Sequence, residues 1–124
     1  ARLHLQEDAI LIEARPEMPA LKIGTLNRHG WMGYLIDGVL FRKCFEPATD
    51  HPYPDLGSNV EIYCNDRFIE LETLGGLRTL QPGQTATHIE TWEVLTGLEV
   101  PSTLAGAQVL LQDSRATSNS KQLR

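Results

Sequence analysis

Two alternating runs, Trp31 to Ile36 and Val39 to Phe45, meet at the dipeptide Asp37-Gly38, and this arrangement forces the chain to turn back on itself. Asp-Gly supplies the positive φ angles of a type I′ turn, whose twist matches that of the strands it joins. A hairpin is therefore predicted over residues 31–45. The same grammar of short apolar-rich segments and Gly, Pro, Asn or Asp punctuation covers most of the chain. Candidate strands are Arg2 to Gln6, Ala9 to Ala14, Leu21 to Ile23, Asn59 to Cys64, Phe68 to Thr73, Arg78 to Gln81 and Thr85 to Leu95. Turns fall at Asn65-Asp66 and Pro82-Gly83, and Gly75-Gly76 makes a break. The segment Glu46 to Ser58, with three prolines and a glycine, reads as a long ordered loop, since proline cannot donate to a ladder. The predicted class is all-β, mainly antiparallel, as a β-sandwich.

Behind Pro101, Ser102 to Gln112 reads as one short helix, weakened by Gly106. Asp113 to Arg124 is polar and without aromatics, the composition of a disordered tail. With 124 residues, 41% of them hydrophobic, the chain can build one core but not two, so residues 1–112 are expected to form a single β domain. The net charge of −5 and the scattered Lys and Arg residues argue against a nucleic-acid partner. No apolar run approaches the roughly 20 residues that cross a bilayer. The N-terminus, which begins with Ala1, lacks the basic-then-apolar pattern of a secretory signal, so a soluble cytoplasmic protein is expected. Cys44 and Cys64 lie in different segments without CxxC spacing and read as reduced, packed thiols.

Alternate residues of a strand share a face. Glu61 and Tyr63 form one such set, Phe68, Glu70 and Glu72 another, and His88, Glu90 and Trp92 a third. The opposite parity, Val60 and Ile62, Ile69 and Leu71, and Thr87, Ile89 and Thr91, reads as the core side. If the three strands are neighbours, the first sets make one patch of carboxylates, a histidine and aromatic rings. Such a patch suits a sugar, because rings stack on the apolar faces of pyranoses while carboxylates accept hydrogen bonds from hydroxyls. An ordinary solvated outer face has the same pattern. Lys22 and Lys43 offer positive charge to an acidic sugar or phosphate, or guard a sheet edge. Tyr53 and Asp55 stand where the long loop would overhang the face. His88 and Glu90 offer two metal ligands but no third is specified, so imidazole–carboxylate hydrogen bonding is the expected use, and neither metal nor cofactor is expected.

Six phrases occur in order between about Lys22 and Leu95: Lys22-Ile23-Gly24, Tyr53-Pro54-Asp55, Asn59-Val60-Glu61-Ile62-Tyr63, Glu70-Leu71-Glu72-Thr73-Leu74-Gly75, Leu80-Gln81-Pro82-Gly83 and His88-Ile89-Glu90-Thr91-Trp92. In this order and spacing the chain resembles the C-terminal part of galactose-mutarotase-like β-sandwich proteins, the aldose 1-epimerase-related group, of uncharacterised type. The resemblance implies that Glu72 holds the position of the epimerase base. It also implies a general-acid histidine in the preceding half of the fold, for which no phrase here is a match. Leu74 stands where the epimerases usually carry glutamine.

The resemblance, with its acid histidine unmatched, implies a non-catalytic, carbohydrate-binding-type module with a sugar or sugar derivative as partner, and the patterned face and nearby charge offer Glu61, Tyr63, Glu70, Glu90, Trp92 and Lys43 as the expected ligand-contacting residues. Two alternatives stand beside it. One is a small aldose-epimerase-like enzyme with Glu72 as base and His88 as acid. The other is a structural or interaction protein that pairs as a homodimer, because part of a two-sheet sandwich leaves apolar face and strand edges to be covered.

Overall fold

The computed structural model describes residues 3–101 and, beyond them, Gly106, Ala107, Val109 and Leu110. The first strands, β1 (Leu3–Leu5) and β2 (Ile10–Ile12), form a small antiparallel hairpin. His4 on β1 is hydrogen-bonded to Glu13 just past β2, at 2.9 Å.

The Asp37-Gly38 hairpin forms as its turn chemistry requires. Strand β4 (Trp31–Ile36) pairs with β5 (Val39–Phe45) from Ile36↔Val39 to Trp31↔Cys44. Asp37 and Gly38 have φ of 48° and 75°. Gly38 is constrained twice, since a Cβ there would lie 2.7 Å from the Leu98 carbonyl oxygen. The Leu98 N–H in turn donates to the Gly38 carbonyl at 3.0 Å, tying the later chain to this turn.

A second sheet has the order β3 (Leu21–Thr25), β6 (Val60–Cys64), β7 (Ile69–Thr73), all antiparallel. Asn65 shapes the β6–β7 turn by accepting hydrogen bonds from the N–H groups of Arg67 and Phe68. The sheet's inner side carries Val60, Ile62 and Leu71, the parity expected of them. These residues pack against Met32 and Phe45 of the hairpin sheet to form the core. The molecule is therefore all-β, with two three-stranded antiparallel sheets face to face. Asn59, fully buried just before β6, accepts from the Asn27 N–H at 2.6 Å and donates to the Asn27 carbonyl at 2.8 Å, so one side chain closes the loop after β3.

Four expectations need correction. Arg78 to Gln81 forms no strand, and the strand expected from Thr85 begins only at Glu90. More consequentially, β8 (Glu90–Leu95) joins neither β6 nor β7. It pairs with β5, from Phe45↔Glu90 to Leu40↔Leu95. Its parity is also the reverse of that expected. Ile89 is 73% exposed, while Glu90 shares the face of Lys43 and Phe45 that looks onto β7. Periodicity gives a strand two faces but does not say which will be buried when a charged pair can be satisfied between sheets.

Of the helix expected over Ser102 to Gln112, Gly106, Ala107, Val109 and Leu110 are helical. The remainder of that segment and the expected tail from Asp113 to Arg124 lie outside the described residues. Among the described residues no helix is long and apolar enough to cross a membrane. Cys44 and Cys64 are both free thiols, Cys64 buried and Cys44 partly so.

Candidate functional site

The register of β6 and β7 sets Glu61 opposite Glu72 and Tyr63 opposite Glu70, all on the side of the sheet away from the core. Two carboxylates directly across a sheet repel each other. The structure offsets this with Lys22 from β3, whose Nζ lies 2.7 Å from Glu61 and 4.0 Å from Glu72. One ammonium thus bridges carboxylates from the two other strands of its sheet. The hydrogen bond to Glu61 holds the Lys22 pKa above its ordinary value, against some desolvation, and the charges of Glu61, Glu72 and Asp55 add to it.

Glu61 is buried, whereas Glu70 and Glu72 are exposed. Gly24, opposite Glu61 on β3, explains part of that burial. A Cβ at Gly24 would lie 2.6 Å from the Ser58 hydroxyl and 3.5 Å from a Glu61 carboxylate oxygen. Without one, the end of the long loop settles onto the sheet beside Glu61. A glycine inside a strand marks such a close backbone approach, and this was the one signal in the sequence for it. At the other end of the face the Tyr63 and Phe68 rings lie 5.7 Å apart, tilted by 44°. Asn65 fixes the Tyr63 hydroxyl at 3.3 Å.

The remaining candidates stand elsewhere. Lys43 and Glu90 lie between the two sheets, with Trp92 on the same face of the edge strand β8 but largely exposed. Lys43 Nζ is 2.7 Å from Glu90 and donates to the Leu71 carbonyl at 2.9 Å. It also sits 5.7 Å from the Trp92 ring centre. The Trp92 indole N–H donates to Glu90 at 2.9 Å, and its ring meets Phe41 edge-on at 5.6 Å. Burial works to raise the Glu90 pKa, but hydrogen bonds from Lys43, Thr73 and Trp92 and the Lys43 charge outweigh it and hold the carboxyl at about 2. This cluster borders an open cavity of about 530 Å³, with Tyr34, Phe41, Phe68, Leu71 and Trp92 among its walls.

His88 bonds the Thr73 hydroxyl at 2.8 Å, and Thr73 also donates to Glu90. Thr73 and Glu72, adjacent on β7, point to opposite faces. His88 therefore stands on the Thr73 side and not beside Glu72. The structure brings together Glu61, Tyr63, Glu70 and Glu72, adds Lys22, and separates them from Lys43, His88, Glu90 and Trp92. Thr73, the hub of the second group, carried no signal in the sequence because its partners, His88 just before β8 and Glu90 at its start, come from the segment that joins the other sheet. Tyr53 braces the long loop through its hydroxyl, which accepts from the Ala48 N–H. Among the described residues no group of three or more His, Cys, Asp or Glu side chains is placed to hold a metal ion.

No family model matches the chain, and neither a curated protein nor a solved structure matches it.

Proposed function

We propose that the chain is a non-catalytic carbohydrate-binding module that receives its ligand on the outer face of β3, β6 and β7. The observation that carries this reading is the bridge of Lys22 between Glu61 and Glu72 on an open face that ends in the Tyr63 and Phe68 rings. A carboxylate held by a lysine keeps free lone pairs for sugar hydroxyls, while the ammonium can donate to a ring or hydroxyl oxygen. Rings at one end suit the C–H face of a pyranose. The resemblance of the Glu70 to Gly75 phrase to mutarotase-like proteins, in which a glutamate at the Glu72 position meets a sugar, supports the same face.

The non-catalytic part rests on the surroundings of Glu72. Ring opening needs a base and an acid on one substrate. Of the four histidines, all described, His88 is engaged by Thr73 on the opposite face, His4 by Glu13 on the β1–β2 hairpin, His51 lies 3.4 Å from Asp50 in the long loop, and His29 stands in the bend before β4. The test is calorimetry with neutral monosaccharides on the normal chain and on Glu72→Gln, with polarimetry of the same sugars. Binding that weakens at least tenfold in Glu72→Gln, with mutarotation at the uncatalysed rate, is the expected result. Faster mutarotation that depends on Glu72 would favour the epimerase reading, and no binding to any sugar would remove both.

A second reading, self-association as a homodimer, is favoured by one separate observation. The strand β8 is a sheet edge, and Trp92 and Val94 on its cavity side are 65% and 64% exposed. Light scattering at micromolar concentration tests it, and a strictly monomeric mass would exclude it.

A further inference from the structure

The segment Asp55–Gly57 forms a single 3-10 turn in which three successive residues have positive φ: 46° at Asp55, 60° at Leu56 and 89° at Gly57. Glycine adopts this conformation freely, but Asp and, still more, Leu do so at a cost in free energy. Leu56 nevertheless points wholly into solvent, the most exposed large apolar side chain among the described residues. The turn is not loose. The Gly57 N–H donates to the Pro54 carbonyl at 2.9 Å, and Ser58 and Asn59, which follow at once, are both buried. Ser58 rests against Gly24 on the face that carries Lys22 and Glu61, and Asp55 is near enough for its charge to act on Lys22. A rigid turn therefore holds an apolar side chain outward at the border of the candidate sugar face, against both backbone preference and solvation. Strain that the surroundings over-determine is found where a side chain must meet a ligand.

We infer that Leu56 is a specificity-determining residue of that face, selecting sugars that carry an apolar substituent, a deoxy or O-methyl position, over their fully hydroxylated counterparts. This inference rests on the carbohydrate-binding reading above. Lys22 and Glu72, the exposed members of the bridge, would engage hydroxyls, and Leu56 would cover the one part of the ligand that has none. A hydroxyl brought under Leu56 would lose water without gaining a partner, whereas a methyl group there leaves water to advantage.

The experiment is calorimetry on the full chain with matched pairs: D-galactose and D-fucose, L-mannose and L-rhamnose, D-glucose and its methyl glycoside. At least one pair is expected to show the deoxy or O-methyl member bound about tenfold more tightly, the usual discrimination for one methyl-sized group. In Leu56→Asn, which tolerates the left-handed conformation, that preference is expected to vanish while the melting temperature rises by about 4 °C as strain is relieved. Leu56→Gly provides the same comparison should the asparagine variant misfold. Equal affinities within every pair, or a preference that survives both substitutions, would overturn the role of Leu56 and leave the sugar-binding reading standing. Failure of every sugar to bind would overturn that reading and this one with it.

Discussion

The ammonium of Lys43, rooted in the middle of β5, ends 2.9 Å from the main-chain carbonyl of Leu71 on β7. One side chain therefore joins the two sheets, and it does so while paired with Glu90 on β8. Lys43 is 8% exposed, so the joint lies largely out of water, where an ion pair is costly to break on one side only.

Lys43→Met is expected to lower stability on the order of 3 kcal/mol, because it leaves Glu90 without its counter-charge and Leu71 without its donor. Urea denaturation measures this. The double variant Lys43→Met with Glu90→Gln is expected to recover part of the loss, since no unpaired charge remains. A loss in the single variant of under about 1 kcal/mol, the range of surface pairs, would mean that the ammonium does not join the sheets in solution.

Acid stability should report Glu90. Its folded pKa, about 2, lies below the ordinary value of 4.5. The unfolded chain therefore takes up a proton first as pH falls, and the stabilisation from ionised Glu90 is complete above about pH 4.5 and lost progressively toward pH 2. Glu90→Gln is expected to lower stability at pH 7 and to flatten this part of the acid limb. An unchanged slope between pH 4.5 and 2 in that variant would show that other groups carry the acid transition.

Asn59→Ala is expected to cost about 3 kcal/mol, because it orphans both the N–H and the carbonyl of Asn27 in one step. Amide hydrogen exchange should localise the effect, with protection lost first at Asn27 and in the neighbouring β3 and β6. Uniform loss of protection across both sheets would contradict a local role.

Gly24→Ala should disturb the candidate sugar face more than the core. The new Cβ would meet the Ser58 hydroxyl at 2.6 Å and push the loop end away from Glu61. A stability loss of about 1–3 kcal/mol is expected from such overpacking, together with weaker sugar binding. Adding Ser58→Ala removes the hydroxyl and should restore part of both, and no recovery in the double variant would place the damage elsewhere.

The carboxylates and Tyr63 of the outer face were legible in the sequence because their sharing of a face is set locally. Glu61 with Tyr63, and Glu70 with Glu72, follow from alternation along single strands, and the Asn65-Asp66 turn makes β6 and β7 neighbours. His88, Glu90 and Trp92 would share that patch only if their strand were the next neighbour of β7, and β8 pairs instead with β5. Leu56 gave no signal, since nothing in the order Asp-Leu-Gly announces a left-handed leucine.

The sequence by itself determined the class of the fold, the Asp37-Gly38 hairpin and the sharing of one face by Glu61, Tyr63, Glu70 and Glu72, because turn chemistry and period-two alternation act between residues close along the chain. Only the tertiary structure decided that β8 lies against β5, that Lys43 and Glu90 turn inward, and that Lys22 spans two facing carboxylates. Pairing between distant strands is selected by which faces can be buried together and which charges can meet across the gap, and that is a property of the assembled sheets rather than of any one segment.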